Sequence, residues 1–109
     1  MIWHTLIEKR EIAKRFGKPL KQYGFDGLDM FGRPLEVRAI KKNNRFRIGK
    51  DVHKILLDHQ GNYIFVDEYG NSKIVPAYIV EKIINKGKWF KDRRYPHKFV
   101  QRDIIFPHK

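Results

Sequence analysis

Phe25-Asp26-Gly27-Leu28-Asp29-Met30-Phe31-Gly32-Arg33-Pro34-Leu35-Glu36-Val37-Arg38-Ala39-Ile40 reads as a strand, a tight turn and a second strand. Phe31-Gly32-Arg33 makes the turn, because Gly32 can take positive φ without a Cβ clash. In the second strand Leu35, Val37 and Ala39 point one way, and Glu36, Arg38 and Ile40 the other. Glu36 and Arg38 therefore project from a single face, two residues apart. Asp26 on the preceding strand is near enough to meet them across the hairpin. Asp29 is its rival as the acid of that strand, but lies closer to the turn, where the alternative reading is a cap.

Working outward, residues 4–16 have helical spacing, with Leu6, Ile7, Ala13 and Phe16 near one side and Ile12 close by. Lys9, Arg10, Lys14 and Arg15 occupy the other side. Thr5 and Glu8 form a capping-box pattern, so Glu8 is read as a cap in preference to a catalytic acid. Gly17 and Pro19 end the helix. The first strand is expected within 20–30 and the second within 34–42, with Pro34 tolerated at its start. Lys41-Lys42-Asn43-Asn44 is a polar break, and Arg45-Phe46-Arg47-Ile48 is either a short extension of the sheet or a basic loop. Residues 49–60 read as a second helix through Val52, Ile55, Leu56 and His59, with Asp51 in its first turn and Gly61 as its stop. Asn62 to Asp67 is an apolar run read as a buried strand. A turn at 69–72 leads to a short strand at 73–75 that pairs back. Pro76 opens a third helix whose inward residues are Tyr78, Ile79 and Ile83, joined by Val80 and Ile84, and Gly87 closes it. The alternation of helices and strands defines an α/β chain with a mixed sheet flanked by helices.

The chain has 109 residues and reads as one domain, 1–109, with a single modest core. It lacks cysteine, which removes disulfides, zinc–thiolate sites and thiol nucleophiles. Metals held by oxygen or imidazole stay available. No apolar run reaches the length of a membrane span and the start does not read as a signal peptide, so an intracellular protein without membrane contact is expected. The formal net charge is +12, and a domain this small with that excess is expected to meet a polyanion, nucleic acid first among them. Residues 86–109 form a basic aromatic segment: eight basic residues against Asp92 and Asp103, interleaved with Trp89, Phe90, Tyr95 and Phe99.

The stretch from Tyr23 to Val66 resembles the PD-(D/E)XK nuclease superfamily, which includes restriction endonucleases and archaeal Holliday-junction resolvases. The resemblance is carried by Phe25-Asp26-Gly27-Leu28-Asp29, by Leu35-Glu36-Val37-Arg38-Ala39, and by Arg45 to Ile48 running through a helix to Tyr63-Ile64-Phe65-Val66. It implies a restriction-endonuclease-like αβββαβ core and Mg²⁺- or Mn²⁺-dependent hydrolysis of DNA phosphodiester bonds. Asp26 and Glu36 would be the metal-binding acids, with the Val37 carbonyl as a further ligand. Arg38 falls where that superfamily usually carries lysine. Arginine keeps the charge and can clamp a phosphate, but does not deprotonate readily and is a poor general base. Three outcomes stay open at Arg38: it suffices as an electrostatic stabiliser, Lys41 or Lys50 reaches the site instead, or the site only binds.

Around this centre, Arg45, Arg47, Lys50, Lys91, Arg93 and Arg94 are the candidate phosphate contacts; the tail aromatics read either as Trp89 or Tyr95 packing on sugar or base or, in preference, as Trp89, Phe90 and Phe99 covering the edge of the core. Cutting a duplex takes two incisions, so a homodimer is expected, with the segment from Phe99 to Phe106 as a candidate edge strand for its interface. The five histidines include no pair at metal-ligand spacing, and Ser72 is the only serine, so a nucleophilic triad is not supported. Two rival readings fit size and charge. One is a nucleic-acid-binding module without catalysis. The other is a metal-free RNA-cleaving protein using His or Tyr as acid and base.

Overall fold

Gly32 takes a φ of +78°, and the turn around it is held by one side chain. Asp29 Oδ1 accepts hydrogen bonds from the N–H of Phe31 at 2.8 Å and of Arg33 at 2.9 Å, while the Gly32 N–H donates to the Asp29 carbonyl at 3.0 Å. Asp29 is thus a turn cap, and the choice between the two acids falls to Asp26. The computed structural model describes residues 2–15, 17–19, 25–84, 89–91 and 96–107. Arg93, Arg94, Tyr95 and Tyr23, together with most of the expected first strand, lie outside these residues.

In chain order the elements are α1 (Ile2–Lys14), β1 (Lys18–Pro19), β2 (Gly27–Leu28), β3 (Pro34–Ala39), β4 (Arg45–Gly49), α2 (Lys50–Asp58), β5 (Asn62–Val66), β6 (Ser72–Pro76), α3 (Ala77–Ile84), β7 (Phe90–Lys91), β8 (Pro96–Gln101) and α4 (Arg102–Ile105). They build two sheets. The first has the order β1-β2-β3-β5-β6, with β3 and β5 parallel and its other pairs antiparallel, so it is mixed, as expected. A parallel pair needs a long crossover, and β4 and α2 supply it. The second sheet, β4-β8-β7, is antiparallel throughout. No described helix is long and apolar enough to cross a membrane.

The central strands β3 and β5 are covered on both faces, which is why β5 is apolar at nearly every position. On one face Leu35, Val37, Ile64 and Val66 pack with Ile12 of α1. On the other, Tyr63 and Phe65 join Phe46, Ile48, Leu56, Val80, Ile84 and Val100, so that α2, α3 and the second sheet share one core. Gly61 marks a close approach between α2 and β3: a Cβ there would stand 2.6 Å from the Pro34 carbonyl oxygen. Lys98, on the inner face of β8, is buried and donates to the Ile84 carbonyl at 2.7 Å, with Nζ 4.9 Å from the Trp89 ring centroid. Arg102 is buried at the start of α4. It pairs with Glu68 at 2.7 Å and lies 3.5 Å from Asp67, which caps the β5–β6 turn through the N–H groups of Tyr69 and Asn71.

Several expectations are corrected by this packing. The first helix starts at Ile2, so Thr5 lies inside it and cannot cap it. Within it Ile12 is fully buried, whereas Leu6 is 62 % exposed and Ala13 is exposed. In α2 the buried residues are His53 and Leu56; His59 is exposed and ends the helix. In α3 they are Ala77, Val80 and Ile84, while Tyr78 is 60 % exposed. At α3 the 3.0 Å hydrogen bond from the Ala77 N–H to the Gly61 carbonyl anchors the first turn, with Ala77 buried. Arg45 to Gly49 is a strand, but it leaves the first sheet to pair with β8 across fifty residues of sequence. Phe99 is in β8, the centre of its sheet, and the chain turns helical at Arg102, so the Phe99–Phe106 segment is not an edge strand.

Candidate active site

β2 begins at Gly27, which pairs with Leu35, so β3 has no ladder partner on that edge beyond Leu35, and Asp26 takes over the next position. Its N–H donates to the Leu35 carbonyl at 2.9 Å, and its Oδ2 accepts from the Val37 N–H at 2.7 Å. In a strand the N–H and C=O of one residue face the same edge, so the Val37 carbonyl looks toward Asp26 as well. The neighbouring Glu36 is 4 % exposed. Its Oε2 accepts from Arg38 Nη2 at 2.7 Å, the two-residue spacing having put both side chains on one face.

Burial dominates the ionisation of Glu36 and pushes its carboxyl well above the ordinary range. Arg38 opposes the rise, but Asp26 adds to it through a side-chain hydrogen bond and by charge, as does Glu8 by charge. Two carboxyls this close favour a proton on Glu36, the more deeply buried of the pair. Glu8, half-buried on α1, is also raised, first by burial and then by Asp26, against a lowering from Arg38. Three acids from three parts of the chain, at positions 8, 26 and 36, therefore act on one another beside one arginine. The reading of Glu8 as a cap is set aside. A helix beginning at Ile2 puts it on a turn facing the sheet, and only the unknown start of the helix hid that in the sequence.

Arg38 keeps a third of its side chain exposed, while its buried Nε has no hydrogen-bond partner among the described residues. Beneath the acids lies a second polar chain. The Tyr63 phenol is pushed far up by burial first and by the Glu36 charge next, and it stands 2.8 Å from His53 Nδ1. Burial lowers His53 despite Glu81, whose Oε2 is 3.4 Å from Nε2 and too poorly aligned for a hydrogen bond. A neutral phenol donating to Nδ1 leaves the imidazole proton on Nε2, facing Glu81.

Among the described residues no group of three or more His, Asp or Glu side chains is arrayed to hold a metal ion. Two depressions of about 340 and 560 Å³ lie away from the acids, one at the α2–β5 junction and one beside α1 at the end of β3. As donors, the carboxylates of Asp26, Glu36 and Glu8 with the Val37 carbonyl are hard oxygens of the kind Mg²⁺ and Mn²⁺ take. In the present arrangement Glu36 is engaged by Arg38 and Asp26 by the Val37 N–H.

Of the candidate phosphate contacts, Arg45 and Arg47 are exposed on β4 and Lys50 is exposed at the start of α2, on a different sheet from the acids. Lys91 lies in β7, and Arg93 and Arg94 lie outside the described residues. Arg47 donates to His97 Nδ1 at 3.2 Å, and the Arg45 guanidinium sits 3.8 Å from the centroid of the Phe99 ring. Lys41, just past β3, is exposed. In comparison with known proteins, the chain matches no protein-family model and no curated protein.

Proposed function

We propose that the chain is a metal-assisted endonuclease acting on nucleic acid, DNA by preference. The mutual coupling of Glu8, Asp26 and Glu36 beside Arg38 carries this reading. Buried acids whose charges oppose one another are costly unless a cation or a proton relieves them, and they gather at sites that use both. Asp26, Glu36 and the Val37 carbonyl would hold Mg²⁺ or Mn²⁺. The bound ion would supply an acidified water and offset charge on the phosphate. The chain's own residues do the rest. Arg38 turns its exposed fork toward a phosphate oxygen and stabilises charge there, as a planar donor that stays protonated. Glu8, raised above an ordinary carboxylate, is the better matched acceptor for a proton from water. The +12 charge draws the substrate in.

The test is cleavage of mixed linear, branched and single-stranded DNA with Mg²⁺. Cleavage by the wild-type chain, lost in Glu36→Gln and Asp26→Asn, supports the proposal. Cleavage untouched by both substitutions removes those residues from it. The 2.7 Å Glu36–Arg38 ion pair favours one rival, a binding module that does not cut. That rival gives salt-sensitive binding indifferent to divalent metal.

A further inference from the structure

On antiparallel strands, paired residues share a face. Phe46 with Val100 and Ile48 with Lys98 form the buried face of the second sheet. The opposite face therefore carries Arg45 with Gln101, Arg47 with Phe99, and Gly49 with His97. Arg45, Arg47 and Gln101 are exposed, and Phe99 and His97 are half-buried. The Arg45 guanidinium stacks on Phe99, 3.8 Å from its centroid, and His97 meets the same ring edge-on at 5.0 Å. Neither β4 nor β8 contributes an acid. A sheet face that sets two arginines of β4 beside two planar rings of β8 complements a chain of phosphates carrying exposed bases.

Resting on the nucleic-acid reading above, we infer that this face is a platform for single-stranded nucleic acid, with a base laid on the Arg45–Phe99 stack and phosphates on Arg45 and Arg47. Bases inside a duplex offer no ring faces, so a duplex would gain only the charge contribution here. The substrate class that follows is a nucleic acid with unpaired bases beside its cut site.

The test uses the full chain in EDTA, with fluorescence anisotropy on a labelled oligothymidine of about 12 nucleotides, within the span such platforms occupy. A labelled duplex of equal length is the control. Phe99→Leu keeps the apolar volume and removes the ring. Arg45→Lys keeps the charge and removes the plane. Expected is a loss of oligothymidine affinity of about tenfold in Phe99→Leu and a smaller loss in Arg45→Lys, with duplex affinity within about twofold of wild type. Wild-type affinity in both variants overturns the platform. So does equal loss on the duplex, or polyglutamate competing as well as the oligonucleotide, which would assign the face to an acidic protein. Arg45→Lys is an exposed change and keeps the test valid should Phe99→Leu fail to fold. Mg²⁺-dependent cleavage is scored on the same preparations. Loss of the platform with cleavage intact, or the reverse, separates this inference from the nuclease proposal.

Discussion

The two sheets handle charge in opposite ways. In the first, acids are drawn inward: Glu36 is nearly dry, Glu8 half so, and both are shifted toward the protonated form by burial. In the second, cations stay outward on β4 while the single inward lysine of β8, Lys98, is held by a carbonyl and an aromatic face. Outward cations cost little and confer attraction over distance. Inward acids are destabilising, so their presence in a small core is the better sign of chemistry.

The largest effect that can break this contrast is on cleavage. Glu36→Gln is expected to lower Mg²⁺-dependent cutting at least about a hundredfold, beyond what loss of an outer-shell partner costs, while nucleic-acid affinity stays near wild type. Arg45→Gln with Arg47→Gln should do the reverse. It should weaken binding and reduce the slope of log affinity against log salt by about 2, leaving the maximal cutting rate at saturating substrate unchanged within a few-fold.

A smaller effect sharpens the inward side. Tyr63→Phe strips His53 Nδ1 of its partner inside the core and should cost about 1–3 kcal/mol in urea unfolding, with the slope m unchanged. Smallest is the pH dependence. Glu36 and Glu8 have folded-state pKa values above their unfolded ones. The folded chain therefore binds more protons in the window between those values. Their contribution is fully present below the unfolded carboxyl range and is lost as pH rises through the folded values. Glu36→Gln should flatten that decline, read as the difference in unfolding free energy between the two chains across the pH series.

The hairpin was legible because its signals are local: Gly32 demands a turn, and Leu35 to Ile40 alternate. The apolar run at Asn62 to Val66 was legible as a buried strand for the same reason. The β4–β8 pairing was not. It joins Arg45 to Gln101, and no neighbour in sequence announces a partner that far away. In the basic aromatic tail Trp89 packs on the core as the structural reading of its aromatics expects, whereas Lys98, read among the exposed charges, turns inward with Val100 of β8. The helical period placed His59 on the inward stripe, but the helix ends there, and packing against Tyr63 and Trp89 buries His53 instead. Glu8 looked like a cap because Thr5-x-x-Glu8 has the right spacing, and only the position of the helix relative to the sheet makes it a third acid.

Isothermal titration of the wild-type chain and Glu36→Gln with Mn²⁺, in two buffers of different ionisation enthalpy, is the most direct test. If Asp26 and Glu36 form a cation site in which the raised Glu36 must give up its proton, Mn²⁺ binds the wild type with net proton release and tighter as pH rises, and Glu36→Gln loses both. Absence of binding, or equal binding without proton release in the two chains, would contradict it and leave the acids as a buried, inert cluster.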